Sequence, residues 1–420
     1  KITVLGTDGK TEYPEGKNIP LEVGPNFLTV ISSIPVDADG TEATLTYRVN
    51  VHRRQADEIY YNEPYRGQYH YSVKDGWGND PNGMIYYNGK YHFYYQFYEG
   101  TKHGPMHWAH ASSTDMIHWE EEPIAIYPDE SGVMFNGYIV DDKDNTSGLF
   151  KPEDKCRLVA LITINGNGQR LKAAYSTDEG KTWKKVKKIA ADWEDDPLWS
   201  RDFRDPQIFR YENKWFLTVA GGPLRIYSSD NLLEWKCESA YGNFHTECPD
   251  LFPLKADDGK VKWLLNGGGR FYKIGDFKEV EEDGSKHWAF LPDAEYGTMD
   301  NTGDSEKMNF GKDSYATMRY YIDHDFGTAA NPTPKDITVI NWMNTWDYCT
   351  RVGETVGQEF NGTYNLTLNL GLTKNEEGKY ILTQTPIQQY EALRDTAKKT
   401  EFKDVNVTES NDLLKDFKGS

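Results

Sequence analysis

A turn closed by tryptophan comes three times in the middle of this 420-residue chain. Ser113-x-Asp115 leads to Trp119, Ser176-x-Asp178 to Trp183, and Ser228-x-Asp230 to Trp235. The aspartates lie roughly 50 to 60 residues apart, about the length of a four-stranded propeller blade. Ser and Asp side chains bond to nearby backbone and so cap a tight turn, and the tryptophan then covers the blade core. A second element precedes the turn in its unit. Asp80-Pro81 precedes Met84-Ile85-Tyr86, Gly89 and Tyr91–Tyr95. Asp205-Pro206 precedes Ile208-Phe209, Asn213 and Trp215–Val219. Cys248-Pro249 precedes Leu251-Phe252, Gly259 and Val261–Leu265. Each is a Pro-led strand, a polar turn and a second strand. Helical periodicity is nearly absent, so the pattern predicts an all-β chain built around a β-propeller of about four to six blades.

The flanks read differently. Residues 1–50 alternate, as in Thr41–Val51, but lack the aromatic density of the repeat region. They predict a small N-terminal β-rich module over 1–52, joined through residues 52–66 to a propeller over 53–388. Residues 389–420 read as a linker and the start of a further β unit. Within them Tyr390–Lys399 is expected to be helical, and Asp412-Leu-Leu-Lys-Asp to open a new strand set belonging to a domain that continues beyond Ser420.

Composition excludes several classes of function. A net charge of -19 leaves no basic surface to neutralise phosphates, so neither nucleic acid nor an anionic membrane is expected as a partner. No apolar run is long enough to span a bilayer. The chain has no charged start followed by an apolar stretch, and it reads as a mature or trimmed form of a secreted or cell-surface protein. Cys156, Cys237, Cys248 and Cys349 show no spacing for zinc or a disulfide framework. Asn145, Asn361, Asn365 and Asn406 begin N-x-S/T triplets, which arise often by chance. Aromatic residues make up 14%, with Tyr and Trp outnumbering Phe; a flat apolar face with a polar handle suits sugar rings as well as a β core.

Three carboxylates stand at equivalent places in the repeated grammar. Asp80 and Asp205 immediately precede their prolines, and Glu247 falls two residues before its own. Inner strands of a propeller converge on one mouth, so the three are predicted to meet there. Packing alone would not choose this, because carboxylates forced together raise one another's pKa. His92, His103, His107, His110 and His118 are crowded in sequence, but their stretch reads as strand and turn. Two imidazoles therefore do not share a helical face, and packing or sugar hydrogen bonds are expected rather than a metal. No cofactor is expected.

Trp77-Gly-Asn79-Asp80-Pro81-Asn82-Gly83, Arg204-Asp205-Pro206 and Glu247-Cys248-Pro249 resemble the W-M-N-D-P-N-G, R-D-P and E-C motifs of glycoside hydrolase family 32, the invertases, inulinases and levanases. Order and spacing agree. Tyr91–Gln96, Gly104–Trp108, Phe135-Asn136-Gly137, Asp313–Ala316 and Asn341–Met343 extend the resemblance over about residues 65 to 390. It implies a five-bladed propeller normally followed by a β-sandwich, and a retaining hydrolase of β-fructofuranosyl bonds in levan, inulin or sucrose. Under it Asp80 is the nucleophile and Glu247, kept protonated by its surroundings, the general acid/base, with the carboxyl groups about 5–5.5 Å apart. Asp205 and Arg204 would hold ring hydroxyls and stabilise the oxocarbenium-like transition state. Trp77, Asn79, Gln96, His103, Trp108, Phe135 and Asn136 would complete the substrate pocket.

Cys248 has two readings: it tunes Glu247, or it is a small buried hydrophobe. Three positions depart from the family pattern, with Gly78 where Met is usual, His103 where Trp is usual and Asn136 where Ser is usual. Loss of an aromatic wall at His103 predicts a site open to internal bonds, hence endo-cleavage. A fructosyltransferase with the same covalent intermediate, and a non-catalytic carbohydrate-binding propeller, are the competing readings.

Overall fold

The computed structural model describes residues 1–36, 42–53, 60–61, 63, 65–322, 325–351 and 358–406. Among them, five sheets follow one another in chain order, each built on four antiparallel strands that pair in succession, with Glu306–Lys307 added to the fourth. This is the five-bladed propeller. Blade I runs from Gly76–Tyr87 through Lys90–Tyr98 and His107–Ser113 to Glu120–Ile126, and blade II from Val133–Asp141 to Lys184–Asp192. Blade III spans Arg204–Tyr211 to Lys236–Thr246, blade IV Asp250–Lys255 to Ser285–Pro292, and blade V Tyr315–Arg319 to Tyr380–Pro386. Phe360–Asn361 returns from blade V to pair in parallel with Gly76 and Trp77, closing the ring.

Inner strands are buried on both faces, which explains their nearly continuous apolar runs; Leu251–Leu254 of blade IV is buried throughout. The axis is pinned by a single side chain. Arg319 of blade V pairs with Asp250 of blade IV at 2.8 Å and donates to Tyr138 Oη of blade II and the Ile208 carbonyl of blade III, both at 2.8 Å.

The tryptophan-closed turns take the predicted form in two units. Ser113 Oγ accepts the Asp115 and Met116 amides, Asp115 Oδ1 those of Ile117 and His118, and Trp119 Nε1 caps the Met116 carbonyl. Ser176, Asp178 and Trp183 repeat this with one extra residue. The third turn is shifted by one residue from the sequence reading. Ser229 and Asn231, not Ser228 and Asp230, accept the turn amides below Trp235, because an Asn amide oxygen accepts as a carboxylate does. Ser228 instead donates to Glu238, and Asp230 faces Lys214.

The N-terminal residues form their own four-stranded sheet, in the order Glu12–Tyr13, Ile2–Leu5, Gly24–Pro35, Glu42–Arg53, which among the described residues pairs with no blade strand. Residues 390–399 are not an α-helix but parts of two short 3-10 turns, Gln388–Leu393 and Thr396–Lys398, neither of which buries a side chain that could hold a longer helix. The strand set expected from Asp412 and much of the 52–66 connection lie outside the described residues.

Candidate active site

Four of the five inner strands bulge close to where they begin. In blade I Asn79 and Asp80 together oppose Gln96; in blade II Phe135 and Asn136 oppose Thr163. In blade III Asp205 and Pro206 oppose Val219, and in blade V Ala316 and Thr317 oppose Asn341. An extra residue bends the strand and re-aims its side chain. In blades I and III a proline at or beside the bulge has no N–H for the ladder. Asp205 (φ 63°) and Cys248 (φ 43°) adopt the left-handed conformation that costs a non-glycine residue energy, as strain concentrated at a functional site does.

The bulges surround one hollow of about 240 Å³, into which Asp80, Asp205 and Glu247 all project. Asn79, Gln96, His103, Phe135, Gln169, Arg204, Tyr315 and Trp346 complete its wall. Both oxygens of Asp80 are held by amides, Oδ1 by Asn79 Nδ2 at 3.0 Å and Oδ2 by Asn136 Nδ2 at 2.9 Å. Trp77 Nε1 orients Asn79 at 2.7 Å, and Gln96 donates to Asn136. Asp205 Oδ2 accepts the Cys248 amide at 3.0 Å and lies 3.8 Å from Arg204 Nε. Glu247 accepts from Arg204 Nη2 and, on its other oxygen, from the Tyr315 hydroxyl. Arg204 is steadied by Gln169 Oε1 at 3.0 Å.

The electrostatics separate the three acids. Burial, then the charges of Asp205 and Glu247, pushes Asp80 up to about 7. Burial also lifts Asp205, to about 6, against the pull of Arg204. Burial would raise Glu247 as well, but the Arg204 charge and the Tyr315 hydrogen bond outweigh it and leave this carboxyl below its ordinary value. Burial and mutual repulsion thus favour the protonated form at the aspartates, whereas Arg204 and Tyr315 favour the anion at Glu247. The expectation that its surroundings hold Glu247 protonated is corrected: its neighbours are donors, and donors favour the anion.

A family model for the glycosyl hydrolases family 32 N-terminal domain matches residues 70–386. The chain belongs to glycoside hydrolase family 32. Over 419 residues it is 59% identical to the fructan beta-fructosidase of Streptococcus mutans serotype c, covering 100% of this chain and 28% of that protein. Over 374 residues it is 34% identical to the levanase of Bacillus subtilis strain 168, covering 82% and 50%. The crystal structure of exo-inulinase from Aspergillus awamori superposes with a TM-score of 0.66 at 29% identity, over 79% of this chain and 69% of that one. The chain thus spans half or less of the length of these first two relatives.

The residues expected at the site of such a family member divide into two layers. Asn79, Gln96, His103, Phe135 and Arg204 line the hollow with the three carboxylates. Trp77, Trp108 and Asn136 do not: each is fully buried one layer behind, so as pocket walls they are corrected. Trp77 packs on Trp342 and holds Asn79, Trp108 Nε1 bonds the Phe135 carbonyl, and Asn136 holds Asp80. Cys248 touches the aspartates rather than Glu247, its Sγ lying 3.7 Å from Asp80 Oδ2 and 3.6 Å from Asp205 Oδ2.

Tyr315, Gln169 and Trp346 escaped the sequence reading. Tyr315 sits within the Asp313–Ala316 match, which was the one signal available; the other two lie in no motif. Of the three departures from the family pattern, Gly78 faces away from the hollow, where a Cβ would lie 2.3 Å from Val73. His103 does line the hollow, but Trp346, with ring centroids 5.6 Å apart, supplies the aromatic wall beside it. The ground for expecting endo-cleavage is thereby removed. Among the described residues no group of His, Cys, Asp and Glu could hold a metal. His92 and His110 bond to each other at 3.0 Å inside blade I, and His118 pairs with Asp115.

Proposed function

We propose that this chain carries the catalytic hollow of a retaining exo-acting β-fructosidase that removes terminal fructose from fructans such as levan or inulin. The observation that carries the proposal is three carboxylates and one guanidinium, gathered from distant parts of the chain around a single hexose-sized hollow. The names of the relatives, a fructan beta-fructosidase and a levanase, support the substrate class. Exo action is supported by the floor: beneath the mouth the axis is filled by the buried Arg319–Asp250 pair, so the hollow is blind and takes a chain end.

In this reading Asp80 attacks the anomeric carbon and Glu247 protonates the departing oxygen; water activated by Glu247 then releases fructose. Glu247 must then gain a proton, which its surroundings favour at the aspartates, as substrate binds. Substrate hydroxyls that engage Arg204 loosen its grip on Glu247, which raises that carboxyl and lowers its partner. Asp205, backed by the Cys248 amide, accepts from ring hydroxyls. A polymeric substrate cannot enter a cell intact, so a secreted or cell-surface location belongs to the same proposal. No helix among the described residues is long and apolar enough to cross a membrane.

The test is to incubate purified protein with sucrose, inulin and levan and to separate the products. Fructose as the sole product of a polymer supports the proposal. Oligosaccharides would overturn exo action, fructosyl transfer at high sucrose would favour the transferase, and binding without turnover would leave a carbohydrate-binding propeller.

A further inference from the structure

We infer that the loop between blades II and III carries a second sugar-binding platform, built on Trp199, for the part of a fructan chain that remains outside the catalytic hollow. The inference rests on the substrate reading above. Trp199 is 70% exposed and adopts φ 51°, a left-handed conformation that a bulky aromatic residue rarely takes. Such strain persists only where the surroundings impose it. Here they do. Asp196, whose carbonyl accepts the Trp199 amide at 3.0 Å, is wholly buried against Arg225 at 2.8 Å and accepts the Tyr227 hydroxyl at 2.9 Å. Trp193 stands edge-on to the Trp199 ring with centroids 5.5 Å apart. Arg201 lies 5.1 Å over the Trp193 ring and donates to Asn167 at 2.7 Å. A rigid loop thus shows one tryptophan to solvent, with its ring already oriented. Packing gains only the edge contact with Trp193 from that placement, and a sugar ring stacking on the exposed ring would add to it.

The platform's position suits the role. Trp199 precedes Arg204 by five residues, so its Cα lies within about 18 Å of that of the pocket arginine. Beside the loop an open hollow of about 510 Å³ is lined by Ser131, Asn167, Arg170 and Asp192, which offer donors and acceptors for hydroxyls. One thickness of blade II separates it from the catalytic hollow. Gly168 lines the outer hollow and the next residue, Gln169, the inner; on the inner-strand side of the same blade, Gly132 lines the outer hollow and Phe135, three residues on, the inner. A chain whose end sits at Asp80 could leave the mouth across Gln169 and lie over the outer hollow onto Trp199.

The experiment compares Trp199→Ala, Trp199→Phe and the parent on levan, inulin and sucrose, with affinity electrophoresis in gels holding each polymer. Loss of one stacking contact lowers the polymer-to-sucrose ratio of kcat/KM about fivefold and reduces retardation in the gel. Trp199→Phe restores most of both. An unchanged ratio, or an equal loss on sucrose and polymer, overturns the platform while leaving the fructan reading intact. A parent that cleaves sucrose but neither polymer overturns the fructan reading itself, and the platform with it.

Discussion

Two clusters of buried charge lie on the propeller axis, and they are built on opposite principles. At the floor, Arg319 pairs with Asp250 and also donates to Tyr138 and the Ile208 carbonyl. Among the described residues its one carboxylate partner is Asp250, and both side chains are buried. At the mouth, three carboxylates share one guanidinium: Arg204 pairs with Glu247 and lies near Asp205, while Asp80 is held by the Asn79 and Asn136 amides, and both aspartates are lifted well above their ordinary range. A buried ion pair with every donor satisfied holds strands together. A cluster with a surplus of acid, open to a hollow, holds a proton it can give away. The unbalanced cluster is where chemistry is to be sought.

The sharpest way to break this comparison is to neutralise the mouth. Asp80→Asn and Glu247→Gln should each lower kcat at least about 10³-fold while circular dichroism stays unchanged. A variant keeping a tenth of parental activity would show that its carboxylate is not part of the machinery. At the floor the loss should fall on stability instead. Arg319→Met strands Asp250 without a partner and should cost about 3–5 kcal/mol in denaturant unfolding. Adding Asp250→Leu should recover much of that, because the stranded charge is then gone. If Arg319→Met abolished turnover in molecules that stay folded, the two clusters would not be separable as described.

The same comparison predicts a stabilising change at the mouth. Asp80 has its carboxyl raised from 3.8 to about 7, so between those pH values the folded protein binds more protons than the unfolded chain. Stability is therefore lost as pH rises through this window. Asp80→Asn, which cannot ionise, should match the parent in melting below about pH 4 and exceed it above pH 7 by about 2 kcal/mol, discounted for the partial exposure of the site. A variant that melts below the parent at neutral pH would mean the carboxylate was well accommodated after all.

How much of this was legible in the chain differs between backbone and side chains. Asp-Pro steps gave the inner strands away, since a proline that cannot join the ladder and an acid beside it mark a bulge at the mouth. The turn repeat was readable but slipped by a residue in its third copy, because Ser228-x-Asp230 and Ser229-x-Asn231 overlap and both carry side-chain oxygens able to accept turn amides. Which tryptophan walls the hollow was not readable. Trp77 and Trp108 stand near the motifs in sequence and are buried behind them, whereas Trp346 reaches the hollow from blade V. Burial depth at a propeller mouth depends on how neighbouring blades overlap, and no local pattern carries that. The protonation order was illegible for the same reason: it is set by Tyr315 and Arg204, which lie far from Glu247 in the chain.

The smallest expected effect tests that protonation order. Tyr315 donates to Glu247 and favours its anion, while Arg270 lies 4.6 Å over the Tyr315 ring. Tyr315→Phe keeps the ring and its packing but removes the donor, so the Glu247 carboxyl rises toward its ordinary range. If Glu247 must be protonated to release the leaving group, the alkaline limb of kcat/KM moves to higher pH, with the plateau rate within about tenfold of the parent. A purely structural tyrosine would lower the rate at every pH without moving the limb. A limb displaced to lower pH would mean that Tyr315 stabilises the protonated acid, and that the floor and the mouth differ in charge but not in the direction their donors act.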